Sequence, residues 1–232
     1  MTTNVVPIGT QLDRWQAGAK EANPDRGAEL MRLADLAEME AIRTRQAANR
    51  ALIYTRRRPS RYAEAQYARL KPEQNPGNRI SAWRAHGPRA LVIAGPARTG
   101  KTFAAYAVAN DTHGQNLWVT VWPAAELSAA LKPDADANAY DHATTCDLLV
   151  LDDLGRERVT DWWLEQLQRI VDHRCAHELR LVVTTNSPAN GPEAAYEDLV
   201  KRYGDPIVER LIDGGGIVVL DGPPQRHLVT EW

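Results

Sequence analysis

The apolar positions change their rhythm along the chain. Between Asn23 and about Tyr54, Leu30, Leu33, Ala34, Ala37, Ala41 and Ile42 recur at helical intervals, the spacing that sets side chains on one side of an α-helix. Asn23-Pro24 opens that stretch with a capping side chain and a proline at the first helical position, where no N–H is needed. Residues 1–23 read as irregular. In residues 55–79, TRRRPSRYAEAQYARLKPEQNPGNR, Pro59, Pro72, Pro76 and Gly77 interrupt any continuous helix and predict a turn, a short helix and a loop. This segment reads as a linker, or as a strap lying on the next domain.

After residue 80 the pattern shortens. Apolar runs at 90–94, 117–122, 147–151, 179–184 and 216–220 alternate with helical stretches such as 102–110 and 160–177. Strands that are apolar throughout suit a sheet covered on both faces. Strands separated by helices predict βαβ units and a parallel sheet. The expected organisation is a helical N-terminal region at 1–58, a linker or strap at 59–79, and an α/β domain with a central five-stranded parallel sheet at 80–232.

Composition narrows this picture. The chain has 232 residues, 44% of them apolar, enough for one substantial core with a small appendage. The net charge of −2 argues against general nucleic-acid binding through bulk charge. The charge is uneven: residues 1–80 carry 14 basic and 9 acidic side chains, and the remainder 14 and 21. Such asymmetry points to separate partners for the two segments. Two cysteines, Cys146 and Cys175, suggest neither a disulfide framework nor a four-ligand zinc site, and fit a reducing compartment. No basic flank with an apolar signal core opens the chain, and no apolar run approaches the roughly 20 residues that span a bilayer. A cytoplasmic protein without a membrane anchor is expected.

The chemistry begins directly after the run ALVIA. Gly95, Pro96, Ala97, Arg98, Thr99, Gly100, Lys101 and Thr102 spell GPARTGKT, the GxxxxGK[ST] pattern between a strand and a helix. Gly95 permits a sharp turn, and Gly100 lets backbone approach phosphate without a Cβ in the way. The amide groups would face phosphates at a helix N-terminus. Lys101 would reach the β- and γ-phosphates and Thr102 would ligate Mg²⁺. A magnesium site also needs an acid at the end of a second strand. DLLVLDD supplies Asp152 for the ion and Asp153 to orient or deprotonate the attacking water. LRLVVTTN ends in Asn186, which could touch the γ-phosphate or the water, or simply form a turn before Ser-Pro. Arg210 and Arg226, each taken alone, read as surface charges.

The ordered set GPARTGKT, DLLVLDDLG, TDWWLEQL, LVVTTN, YGDPIVERL and GPPQR resembles the AAA+ ATPases of the DnaC/IstB group over about residues 80–230. The resemblance implies an AAA+ P-loop domain that hydrolyses ATP with Mg²⁺ and assembles with itself into a ring or spiral. It assigns Lys101 and Thr102 to Walker A, Asp152 and Asp153 to Walker B, Asn186 to sensor 1, Arg210 to the arginine presented to a neighbouring subunit's γ-phosphate, and Arg226 to sensor 2. The second Walker B acid is often Glu in the family and here is the shorter Asp153. Pro206 stands where relatives often carry an arginine, and GPPQR lacks the usual serine. The family's DNA-contacting insertion falls near 124–143, a stretch with one lysine and four acids.

The implied function is an ATP-dependent helicase loader that binds the replicative DNA helicase through its N-terminal region and helps place it on single-stranded DNA. The same motifs suit an IstB-like ATPase helper of a transposase. A P-loop small-molecule kinase shares the phosphate loop but needs an arginine-rich lid. Other features carry less. His173 and His177, four apart on a helix, have no third metal ligand at a suitable spacing. Trp162 and Trp163 point about 100° apart, so one belongs to the core. The run from Gly214 to Gly216 reads as a flexible turn. Arg56, Arg57 and Arg58 fit either a nucleic-acid contact or a solvated hinge.

Overall fold

The computed structural model describes residues 24–187, 191–212 and 215–225. Its first element is one long helix, α1 (Pro24–Arg57). The proline-rich segment that follows forms four single 3₁₀ turns, at Ser60–Tyr62, Tyr67–Arg69, Pro72–Gln74 and Pro76–Asn78. Pro72 and Pro76 each start a turn, where a missing donor does no harm. The helix α2 (Arg79–His86) leads into β1 (Ala90–Ala94).

From there strands and helices alternate: α3 (Lys101–Gly114), β2 (Val119–Pro123), α4 (Ala124–Ala130), α5 (Ala139–Thr145), β3 (Leu148–Leu154), α6 (Asp161–Ala176), β4 (Arg180–Thr185), α7 (Pro192–Tyr203), α8 (Asp205–Ile212) and β5 (Ile217–Val219). The strands form one parallel sheet in the order β2-β3-β4-β1-β5. The acidic stretch 124–143 supplies the short helices α4 and α5.

Alternation along each strand divides the core between the two faces of the sheet. Val92, Leu149, Leu151, Leu181 and Val183 pack with Trp163, Leu167 and Ile170 of α6 and with α7 and α8. Leu91, Ile93, Leu148, Val150 and Val182 pack with the alanine-rich side of α3, Ile80 and Trp83 of α2, and Tyr54. Trp163 is fully buried, while Trp162 packs against the core from a half-buried position. The Thr160 hydroxyl caps α6 by accepting from the Trp163 N–H at 3.2 Å, as expected of an N-cap threonine.

By its internal contacts the chain divides into two units, 1–48 and 49–232. The boundary falls inside α1, so the last turns of that helix and the 3₁₀ segment belong to the second unit. Tyr62, Ala65 and Gln74 of that segment are buried. Asn110 of α3 ties the pieces together. Its Nδ2 donates to the Tyr62 and Ala65 carbonyls, both at 2.9 Å. Its Oδ1 accepts from the Tyr54 hydroxyl at 2.7 Å and from Arg58 Nη1 at 2.6 Å. Arg58 therefore has a structural partner. Among the described residues no helix is long and apolar enough to cross a membrane.

Candidate functional site

Parallel strands present their C-terminal ends on one edge of the sheet, and the candidate residues gather there. The turn after β1 requires glycine at its first position. Gly95 has φ +141°, and a Cβ on it would lie 2.1 Å from the Leu220 carbonyl oxygen. Gly100, at φ +97°, starts α3, so the free N–H groups of that helix face the loop. The Lys101 side chain is buried and its Nζ donates to the Pro96 carbonyl at 2.6 Å. Burial pulls its pKa down, and the nearby Asp153 and Asp152 pull it back up. The Thr99 hydroxyl donates to the same carbonyl at 3.0 Å. The loop opens on a cavity of about 510 Å³.

An irregularity in the sheet brings Asp153 to the cavity wall and Asp152 to the wall residue Thr102. Strand alternation alone would send Asp152 and Asp153 to opposite faces. The β3–β4 register pairs Leu151 with Val183 and then Leu154 with Thr185, so two aspartates stand opposite the single residue Thr184. That is a β-bulge. Asp153 absorbs it with φ +57°, a left-handed conformation that aspartate tolerates better than most residues. Thr184 holds the bulge: its hydroxyl accepts from the Asp153 N–H at 2.8 Å and donates to Asp152 Oδ1 at 2.6 Å. Asp152 Oδ1 also accepts from the Thr102 hydroxyl at 3.0 Å. Burial raises the Asp152 carboxyl above the usual range, against the lowering effect of the Thr184 and Thr102 hydrogen bonds and Lys101. Asp153 accepts from Asn186 Nδ2 at 3.3 Å on one oxygen and from Arg156 Nη1 at 3.2 Å on the other.

Lys101, Thr102, Asp152, Asp153 and Asn186 thus meet in one place, as their order in the sequence suggests. Arg210 does not join them. It lies on α8, where its Nε pairs with Asp172 of α6 at 3.1 Å and its carbonyl accepts from the Arg89 side chain. Arg89 precedes β1, so Arg210 sits at the end of the sheet away from the phosphate loop. Arg226 lies outside the described residues. Its neighbour Gln225 lines the cavity, and the Gln225 N–H donates to the Arg98 carbonyl at 2.8 Å.

Sequence reasoning missed several cavity residues. Arg61, Tyr62 and Gln74 come from the 3₁₀ segment, and Arg156 from the loop after β3. Tyr62 stacks on Tyr106 of α3 with ring centroids 4.3 Å apart. Nothing in the local pattern of 59–79 marks it as a cavity wall, although Thr184 and Arg156 were findable as neighbours of the singled-out Asn186 and Asp153. Glu157 was missed as well. Its buried carboxylate accepts from Gly155 N–H at 2.9 Å, Trp163 Nε1 at 3.1 Å and the Tyr203 hydroxyl at 2.6 Å. It ties the loop after the acids to α6 and α7. His173 and His177 approach to 4.4 Å between ring centroids, but no group of three metal-ligating side chains exists among the described residues.

A five-stranded parallel sheet in this order, with a phosphate loop after β1 and an acidic pair on β3, defines an AAA+ P-loop fold. Solved structures with this arrangement include the DnaC helicase loader, at 22% identity and TM-score 0.61 over 70% of this chain and 100% of that one. They also include DnaI, at 20% identity and TM-score 0.58 over 73% and 95%. A primosome component of Streptococcus pyogenes serotype M3 aligns at 19% identity and TM-score 0.59 over 73% and 93%. The fold of this chain is that of the DnaC-like AAA+ proteins. No protein-family model matches the sequence, and no curated protein matches it.

Proposed function

We propose that the chain is an ATP-dependent helicase loader that binds a replicative DNA helicase, associates with copies of itself in a ring or spiral, and helps place the helicase on single-stranded DNA in the cytoplasm. One observation carries the reading: the phosphate loop, the Asp152–Thr102 pair and the Asp153–Asn186 pair converge on one cavity, in a fold shared with a helicase loader.

The residues suit magnesium and a triphosphate. Thr102 Oγ1 and Asp152 Oδ1 are hard oxygen donors 3.0 Å apart, the kind magnesium prefers, and these two would hold the ion. Bound there, magnesium neutralises phosphate charge. Gly95, Pro96, Ala97, Arg98, Thr99 and Gly100 form the cradle, and Lys101 supplies its buried cation. Asp153 orients or deprotonates the attacking water, with Asn186 fixing the carboxylate. Arg210, turned away from its own cavity, serves the site of a neighbouring copy, and Arg226 completes the site from the C-terminal segment. Residues 1–58 form the helicase-docking region. In its support, Met31, Leu36, Met39 and Ile42 of α1 are half or more exposed, and apolar side chains on a helix suit packing against another helix.

The test is co-purification of the full chain with the replicative helicase of its host, with and without ATP, beside an ATPase assay with single- and double-stranded DNA. Helicase capture and stimulation by single strands are expected. Tight duplex binding without helicase capture would shift the reading to a transposase helper. Absence of ATP binding would remove it.

A further inference from the structure

The strand β2 is an edge of the sheet, and the last two turns of α1 run beside it. The Arg50 guanidinium lies 3.9 Å from the Trp118 ring centroid and that of Arg57 5.5 Å from the Trp122 ring. Seven helical residues span about 10 Å, so the two cations follow the strand in the same direction. Between helix and strand is a cavity of about 130 Å³. Tyr54, Arg58, Tyr106 and His142 are among the other residues that line it, and no carboxylate does. The His142 ring meets Trp118 edge-on at 5.6 Å.

Several surface arginines are already engaged by acids. Arg69, Arg84, Arg156, Arg202 and Arg210 each pair with a carboxylate. Arg50 and Arg57 are exposed and make no hydrogen bond or ion pair among the described residues. Each guanidinium lies over an indole ring and keeps its N–H groups free of protein partners among the described residues. A planar guanidinium with free N–H groups is what bidentate phosphate binding requires. Flat aromatic walls beside such cations are the chemistry that holds unpaired bases. A simple clip between helix and strand would need the indole contact but not a lining free of acids.

We propose that this cleft between α1 and β2 is a contact site for single-stranded DNA, with successive phosphates on Arg50 and Arg57 and a base against the Trp118–His142 wall. The inference rests on the reading of the chain as a protein that handles single strands. It assigns the contact to α1, β2 and His142 of α5, away from Glu126, Asp134, Asp136 and Asp141, whose charges would repel phosphate.

The test is fluorescence anisotropy of a labelled oligo-deoxythymidylate with the full chain and Mg-ATP across a salt series. Arg50→Ala/Arg57→Ala should weaken binding about tenfold at low salt and make the slope of log affinity against log salt shallower by about 1.4, two phosphates at about 0.7 each. Arg50→Lys/Arg57→Lys should keep the slope and lose part of the affinity. Trp118→Phe should weaken binding without changing the slope. ATP binding should be unchanged in all three, since none of these residues lines the nucleotide cavity. A double alanine variant with wild-type affinity and slope would overturn this site and leave the loader reading intact. A wild-type chain that hydrolyses ATP yet binds no single strand would overturn the DNA part of that reading, and the site with it. Arginine-dependent capture of poly-glutamate without capture of the oligonucleotide would overturn it in favour of an acidic protein partner.

Discussion

Thr184 holds both acids at once, accepting from the backbone of Asp153 and donating to the side chain of Asp152. Thr184→Val keeps the shape and removes both bonds. Losing a group that orients metal-site ligands typically costs 10–100-fold, so ATP turnover should fall by about that factor, and the unmet Asp153 N–H should cost about 1–3 kcal/mol of stability. A turnover assay beside a melting curve checks this. Lys101→Ala should abolish ATP binding in a titration, because the loop loses its buried cation. Asp152 gives a pH signature. Its raised pKa means that the folded chain takes up a proton at higher pH than the unfolded chain does. Acidification through the window between the raised and the ordinary aspartate pKa therefore stabilises the nucleotide-free fold. Over the same window it weakens magnesium-dependent ATP binding, which needs the carboxylate. Asp152→Asn should bind weakly at every pH and lose both trends. If wild type and Asp152→Asn show parallel pH profiles, the assignment of Asp152 is wrong.

At the scale of elements, two buried polar hubs fix how helices meet the sheet. Arg174 of α6 is fully buried, and its guanidinium donates to the Ala143 and Asp147 carbonyls at 2.9 and 3.5 Å and also to that of Arg180. It thereby ties the end of α5 to the starts of β3 and β4. Burial lowers its pKa, and the carbonyl cage supplies the compensation that a buried charge demands. Arg174→Ala leaves those carbonyls unmet at about 1–3 kcal/mol each. A loss of about 3 kcal/mol, roughly 6–12 °C in melting temperature for a domain this size, is expected by calorimetry. Glu157 does the same for α6, α7 and the loop after β3. The strands and the long helices are legible in the sequence because their periods repeat over many residues. The strand at 147–151 proved longer, running through the acidic pair to Leu154, because the bulge keeps it paired with β4 beyond the point where the apolar run stops. The 3₁₀ turns of 60–78 were hidden, since prolines announce a break but not what the broken segment packs against.

At the scale of the molecule, the segment 59–79 belongs with the sheet. A chain shortened to residues 49–232 should fold and bind ATP as the full chain does. A chain beginning near residue 78, which the sequence alone suggests as self-sufficient, would lack Tyr62, Ala65 and Gln74, and with them a wall of the nucleotide cavity. It should melt lower and bind ATP more weakly, by thermal shift and titration. Self-association is tested through Arg210. An arginine supplied by a neighbour contributes about 10³–10⁵ in rate in related phosphoryl transfers. ATPase activity should therefore rise faster than linearly with protein concentration, and Arg210→Ala should remove the rise without loss of ATP binding. Strict proportionality down to high dilution would end that role. Asp172→Ala, which releases Arg210 from its present partner, should preserve the rise.

The sequence by itself determined the phosphate loop, the acidic pair and the alternation of strands and helices. Each of these depends on residues a few positions apart, where chain geometry leaves little freedom. Gly95, Gly100 and Lys101 could be assigned from spacing because a turn between a strand and a helix places them in one way. The tertiary structure decided what depends on contacts between distant segments. Thr184 is 31 residues from Asp153, and only the β3–β4 register brings its hydroxyl to both acids. Asn110 is about 50 residues from Tyr54 and Tyr62, and only the packing of α3 makes it their common partner. Arg50 and Arg57 look like any exposed arginines on a helix until β2 lays Trp118 and Trp122 beneath them. Period and propensity act along the chain; register and packing act across it, and they set the walls of both cavities.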